Sequence, residues 1–335
     1  MRIQLGCFGK VVTSFLLMLA WIPAASADET GARKEGKVIV YGSLETGTVN
    51  ILKKGFKEKH GVDLEYWWGS STKVTDRITT EFRAGKQLFD VTLNHRPLLK
   101  IMKKEGIIGN YESPALKFFP PEVIDKEVGP AYRNVIIGII YNEAYIKPDQ
   151  APKSYDDLLD SKWKGKFVMA DPSRHTTTTQ WLASLHKIMG KEKAPKYIRG
   201  LAAQRPVLAE SITPASQKIL TGEVPIGFAF TKYVVIYGKE GAKLDYVKVD
   251  KMLGDGQYFG ISSKPPHPNA ARLFIDYFLS EEGMRILADV GETVTRKGIY
   301  PALKDAEKIK FLEVDELDKK GFAEKTQEYR KIFFQ

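Results

Sequence analysis

The sequence predicts an α/β protein of two lobes joined by crossing strands, and three observations carry that expectation. Strand-like and helix-like segments alternate through the first hundred or so residues. The alternation begins again near residue 135. Neither a low-complexity linker nor an internal repeat separates the two stretches, so the chain must pass between lobes within regular elements.

Residues 37–41 form an apolar, β-branched run that reads as the first strand, and a glycine-bearing loop follows over 42–47. Val49, Leu52 and Phe56 then fall at helical spacing, and Gly61 after His60 closes that helix. A second strand is expected at 62–66. The loop at 69–72 leads into a helix with Val74, Ile78 and Phe82 on one face. A third strand is expected at 89–93, and Pro97 opens a helix over 98–105. Strands separated by helices in this way build a mostly parallel sheet covered on both faces. In the second stretch, 135–141 is a β-rich run, 154–162 a short capped helix, 166–170 a strand, and 178–189 a helix stopped by Gly190. Strands are expected at 224–230 and 258–262. The segment 270–279 carries Phe274, Ile275, Phe278 and Leu279 on one side, as a docked helix should. The expected division is a leader over 1–27, a first lobe of 28–138 plus about 263–335, and a second lobe of 139–262. Beyond about Leu303 the chain is charged and helical in flavour.

The leader is read from Arg2 and Lys10, the apolar stretch 15–20 continuing through Trp21 and Ile22, the break at Pro23, and the small-x-small site Ala25-Ser26-Ala27. This order predicts export, with cleavage after Ala27. The apolar core is too short for a comfortable membrane span. The single cysteine, Cys7, lies inside the leader, which excludes a disulfide framework from the mature chain and predicts no lipid anchor at its start. Cleavage leaves 308 residues and lowers the net charge from +10 to +8. That excess is scattered in pairs such as Lys53-Lys54 and Lys103-Lys104, without a basic block interleaved with aromatics, so nucleic acid is not an expected partner. An enzyme is not expected either. The mature chain has no cysteine and few histidines, and Gly-x-Ser-x-Gly, His-Glu-x-x-His and glycine-rich phosphate motifs are missing from the sequence.

Several phrases carry a family resemblance when taken in order. They are Val38-Ile39-Val40-Tyr41-Gly42-Ser43, Ile140-Tyr141-Asn142, Tyr155-Asp156-Asp157-Leu158-Leu159, Trp163-Lys164-Gly165-Lys166 with Ala170-Asp171-Pro172, Leu220-Thr221-Gly222-Glu223-Val224-Pro225-Ile226-Gly227, and Phe278-Leu279-Ser280-Glu281-Glu282-Gly283. Together they span about residues 36–301 and resemble the type II periplasmic binding proteins, in the branch with ferric-ion-, sugar-phosphate- and phosphonate-binding members. The resemblance implies a monomeric, non-enzymatic periplasmic protein. It would capture a small solute between two α/β lobes and deliver it to an ABC permease in the inner membrane. A ligand-binding accessory of a membrane sensor kinase would have the same sequence features.

Ligands of open α/β sheets bind outside the carboxyl ends of the strands, where helix N-termini favour anions. Four segments have that position: Ser43, Leu44 and Glu45; Ser70, Ser71 and Thr72; Arg174, His175, Thr176 and Thr177; and Lys232 with Tyr233. Asn94 and His95 after the third strand are either ligand-facing or part of a turn, and Ser70 to Thr72 can equally cap the helix that follows. Arg174 and Lys232 favour an anionic ligand such as an organophosphate, phosphonate or carboxylate, with no cofactor required. The alternative cargo is Fe3+. Ferric relatives use two adjacent tyrosines in the second lobe, and the matching stretch here, Thr231-Lys232-Tyr233-Val234, supplies only Tyr233. Glu45 would join Tyr233 as a metal ligand and Glu210 could add charge, but the neighbouring Lys232 opposes a cation.

Overall fold

The computed structural model describes residues 28–334; the expected leader, 1–27 with Cys7, lies outside the described residues. A short helix, α1 (Glu29–Glu35), precedes strand β1 (Lys37–Gly42). Helix α2 (Thr46–His60) buries Val49, Leu52 and Phe56 and ends at Gly61, whose φ of 71° is the left-handed conformation that glycine adopts without penalty. Strand β2 (Asp63–Trp68), helix α3 (Ser71–Arg83), strand β3 (Val91–His95) and helix α4 (Arg96–Lys104) complete the first alternation. Strand β1 pairs in parallel with both β2 and β3, as strand–helix–strand connections dictate. A two-stranded ribbon of β4 (Ile124–Asp125) and β5 (Gly129–Pro130) leads to the long strand β6 (Arg133–Asn142).

Strand β6 carries the chain out of the first lobe. Its start, Arg133–Ile136, pairs with β11 (Lys251–Ile261), and residues 137–141 pair with β9 (Ile226–Phe230). The second lobe holds β7 (Val168–Ala170), β8 (Val207–Ala209) and β10 (Leu244–Tyr246). Its helices are α5 (Thr176–Ala183), α6 (His186–Met189), α7 (Lys193–Ala203), α8 (Ile212–Thr221) and α9 (Lys232–Lys239). Strand β11 returns the chain. It meets β6 at Gly254–Gln257 and β3 at Gln257–Ile261, so the main sheet runs β2-β1-β3-β11-β6-β9-β7-β8 through both lobes. Helices α10 (Pro268–Phe278) and α11 (Glu281–Asp289) and strand β12 (Thr293–Val294) then rejoin the first-lobe core. The Glu35 carboxylate accepts from the amides of Asn269 and Ala270, at 3.0 and 2.8 Å, and so caps α10 from the other end of the chain.

Four features differ from the sequence expectation. The helix expected at 178–189 is two helices, α5 and α6, because Ser184 turns its hydroxyl back onto the Gln180 carbonyl at 2.7 Å. The segment 154–162 forms two 3-10 turns, not an α-helix. The C-terminal residues do not all return to the first lobe. Strand β13 (Lys310–Glu313) lies parallel to the start of β11, and helix α12 (Lys319–Phe333) packs on α5 and α7, with Tyr329 inside the second-lobe core. The passage back into the first lobe also falls within β11, ahead of residue 262.

Candidate functional site

A cleft of about 510 Å³ opens between the lobes. Its first-lobe wall includes Ser43 after β1, Ser70, Ser71 and Thr72 at the start of α3, and His95 and Arg96 at the start of α4. Its second-lobe wall includes Thr176, Thr177 and Gln180 of α5. Asp255 and Gly256 of the crossing strand, with Glu313, Val314 and Glu316 after it in the chain, close the remaining side. The N-termini of α3 and α5 therefore meet the same cavity from opposite lobes. Backbone N–H groups in a first helical turn have no intrahelical acceptor, and the helix dipole adds partial positive charge there.

The expected residues divide into those lining the cleft and those supporting it. Ser43, Ser70, Ser71, Thr72, Thr176 and Thr177 line it. Ser70 also caps α3, its hydroxyl accepting from the Lys73 amide at 3.4 Å. Leu44 is buried and its amide donates to the Tyr66 hydroxyl at 2.8 Å, so this N–H is already used in holding the loop. Asn94 is fully buried and acts as a strut. Its amide nitrogen donates to Thr75 Oγ1 at 3.0 Å and its oxygen accepts from the His95 amide at 2.8 Å. The neighbour His95 takes the cleft-facing position instead. Strand alternation carries that signal, since Asn94 and His95 must point to opposite faces of β3. His175 caps α5, its ring nitrogen accepting from the Thr178 amide at 3.3 Å, and burial lowers its pKa. Arg174 and Glu210 are exposed and are not among the residues lining the cleft.

Lys232 also stands apart from that lining. Its ammonium is paired with Glu45 from the first lobe and lies 3.3 Å from Glu292. Glu292 in turn pairs with Arg133 at the start of β6. Burial works against charge on Lys232, but Glu292 and Glu45 more than offset it and raise its pKa. Burial likewise acts to raise the Glu45 carboxyl, and Lys232 with Arg133 outweigh it, so the pKa is lowered. The two cations expected to attract a ligand are thus one exposed arginine and one lysine already compensated at the lobe junction. Tyr233 stacks on Tyr237 with ring centroids 5.2 Å apart, and its hydroxyl lies 3.0 Å from Thr213 Oγ1. Burial raises its pKa and so disfavours the phenolate.

Sequence reasoning raised His95 beside Asn94 but missed the other charges that line the cleft, Arg96, Asp255, Glu313 and Glu316. His95 Nδ1 lies 3.1 Å from an Asp255 carboxylate oxygen. Burial acts to lower the His95 pKa, and Asp255 reverses this, so the pKa is raised above the ordinary imidazole value. Arg96 is held by Glu313 at 2.7 Å and by Glu316. These groups come from the crossing strand and the chain end, whose approach no local pattern in the sequence reveals.

The family model for bacterial extracellular solute-binding proteins matches residues 52–316. A Fe(3+)-binding periplasmic protein of Serratia marcescens is 21% identical over 86% of this chain and 85% of its own length. The substrate-binding protein of an ABC transporter from Agrobacterium tumefaciens superposes with a TM-score of 0.73 at 14% identity, covering 92% of this chain and 97% of that one. The periplasmic binding protein AfuA from Actinobacillus pleuropneumoniae, with fructose-6-phosphate bound, gives a TM-score of 0.64 at 20% identity over 89% and 97% of the two chains. The fold is therefore the α/β periplasmic binding protein fold that the sequence led us to expect, in a family of binding proteins and not of enzymes. With the family model matching most of its length, the chain belongs to the bacterial extracellular solute-binding protein family.

Proposed function

We propose that this protein is the periplasmic solute-binding component of an ABC importer. It takes a small anion, such as a phosphate ester, phosphonate or carboxylate, into the interlobe cleft and presents it to a membrane permease. One observation carries the reading. The N-termini of α3 and α5 face one cavity from opposite lobes, and each brings hydroxyl side chains, Ser70 to Thr72 on one side and Thr176 with Thr177 on the other. A cavity of about 510 Å³ is of the size that encloses a small solute. His95, its pKa raised by Asp255, at most offsets that carboxylate, and Arg96 offsets one of the two carboxylates that grip it, Glu313 and Glu316, so the pull on an anion rests on the helix N-termini and their hydroxyls. Hinge closure about the crossing strands would bring both helix ends onto one ligand.

Fe3+ is less well served. Tyr233 is the single phenol in the stretch that matches the ferric pair, its hydroxyl is engaged with Thr213, and burial opposes its ionisation. Glu45 is already held by Lys232. The test is calorimetric titration of the purified protein with inorganic phosphate, phosphonates, sugar phosphates and carboxylates beside ferric citrate. Saturable binding of an anion, with no visible charge-transfer band on adding ferric citrate, is the expected result. A tyrosinate-to-iron band abolished by Tyr233→Phe, with no response to any anion, would overturn the proposal.

A further inference from the structure

The chain beyond Leu303 is the part that neither the lobes nor the helix N-termini explain. Strand β13 leaves the crossing strand and places Glu313, Val314, Glu316 and Leu317 along the cleft. The segment is then fixed to the second lobe. The Asp315 carbonyl accepts from Gln180 Nε2 at 2.9 Å, and its amide donates to Ser184 Oγ at 2.8 Å. Its carboxylate pairs with Lys187 at 2.8 Å, and Lys187 also donates to the Glu313 carbonyl at 2.7 Å. Helix α12 follows and anchors the end of the chain through Tyr329, which is 1% exposed among second-lobe residues.

The side chains of this anchored segment reach the other lobe. Glu313 pairs with Arg96 at 2.7 Å and accepts from the Tyr258 hydroxyl at 3.0 Å; Glu316 pairs with Arg96 from another direction. Arg96 begins α4, and Tyr258 pairs with Asn94 of β3, so both belong to the first lobe. Gly256 permits the approach, because a Cβ there would stand 3.0 Å from a Glu313 carboxylate oxygen. One short segment is thus held by backbone and side-chain bonds to one lobe and by a shared guanidinium to the other.

We propose that residues 310–318 form a strap that clasps the two lobes along one side of the ligand cleft, with Arg96 as the residue it grips. The clasp has two consequences. It limits how far the lobes separate, because opening must break a guanidinium–carboxylate grip made by two acids at once. It also satisfies Arg96 internally, which leaves recognition of an anion to the helix N-termini and His95. The clasp does not depend on what the cleft binds, so it can be tested without any ligand.

The experiment uses the mature protein carrying spin labels at Lys54→Cys on α2 and Lys196→Cys on α7, both exposed, in a chain otherwise free of cysteine. Interlobe distances are read by pulsed electron spin resonance for this protein, for E313Q/E316Q and for Arg96→Gln, which attacks the clasp from the opposite lobe. The clasp predicts that both variants melt cooperatively and that both distance distributions lengthen by more than about 2 Å, the size above which a shift counts as a loop or domain rearrangement. A distribution unmoved in either folded variant would overturn it. Failure of anion binding in the earlier titration would leave this readout unaffected, so the two proposals fail separately.

Discussion

The charges at the lobe junction give a quantitative prediction. Arg133 and Glu292 are 4% and 3% exposed and form an ion pair, with the Lys232 ammonium 3.3 Å from the same Glu292 carboxylate. Glu292→Gln keeps the shape of the side chain and removes its charge. Arg133 and Lys232 would then share Glu45, whose side chain is 55% exposed and so a weakly coupled partner. Removing one member of a buried pair costs about 3–5 kcal/mol, because the surviving charge stays desolvated without compensation. The exposed pair Arg285–Glu281, 2.7 Å apart on α11, is the control, and Glu281→Gln should cost at most about 1 kcal/mol. Urea unfolding with a constant m-value reads both. Arg133→Met in the Glu292→Gln background should recover part of the loss, since no lone buried arginine remains. If Glu292→Gln and Glu281→Gln destabilise equally, the junction is wetter than its burial implies and the argument fails.

Three further predictions concern the cleft and the lobe junction beside it. Thr176→Pro removes one first-turn N–H of α5 and its hydroxyl at a position where proline is tolerated, because His175 before it is extended at φ −99° and ψ 107°; phosphate affinity should fall about tenfold with the melting temperature unchanged, whereas equal affinity would deny the helix terminus a role. The raised His95 pKa means that its charge, and the stability it contributes, are fully present below about pH 6.5 and are lost as pH rises through the shifted value. The ratio of phosphate affinities between wild type and His95→Gln should therefore shrink toward one in alkaline buffer, and a ratio independent of pH would exclude the imidazolium. The lowered Glu45 pKa gives the opposite sign: its pairing with Lys232 contributes above the usual carboxylate range and is lost only as pH falls through the depressed value. Interlobe distances should hold steady down to about pH 4.5 and change below it, with Glu45→Gln removing the change.

Much of the framework was legible because local rules acted alone. The β-branched run at Val38 to Val40, the helical spacing of Val49, Leu52 and Phe56, and the stop at Gly61 each specify an element without help from distant residues. The crossing strand β11 was read too short, as 258–262, and the part left out contains two glycines, Gly254 and Gly256. Gly254 is set by a neighbour far away in sequence: a Cβ there would meet Asn134 Cβ at 2.9 Å. A glycine that makes room across a strand pair and one that makes a turn are the same letter, and only the pairing partner distinguishes them.

The site followed the same division, and the cause is chemical. Hydroxyls at a helix start were found because helix caps and anion sites ask for the same residues, and for the same reason their two roles could not be separated beforehand. Charges were misjudged because a lone lysine or arginine in a loop carries no sign of what will neutralise it. Lys232 meets Glu45 and Glu292, 187 and 60 residues away, while Arg96 meets Glu313 and Glu316 more than 200 residues on. Once these pairs form, Lys232, which looked available for a ligand, is tied to a carboxylate of the other lobe, and Arg96, which no reading of the sequence singled out, is held by the chain end. On the reading proposed here, an anion would be met by groups that carry little or no formal charge, backbone amides and hydroxyls, together with one histidine. A cleft built this way can release its cargo to a permease, since many modest hydrogen bonds from two lobes are lost together when the lobes part, whereas a direct guanidinium–anion pair confined to one lobe would survive the opening.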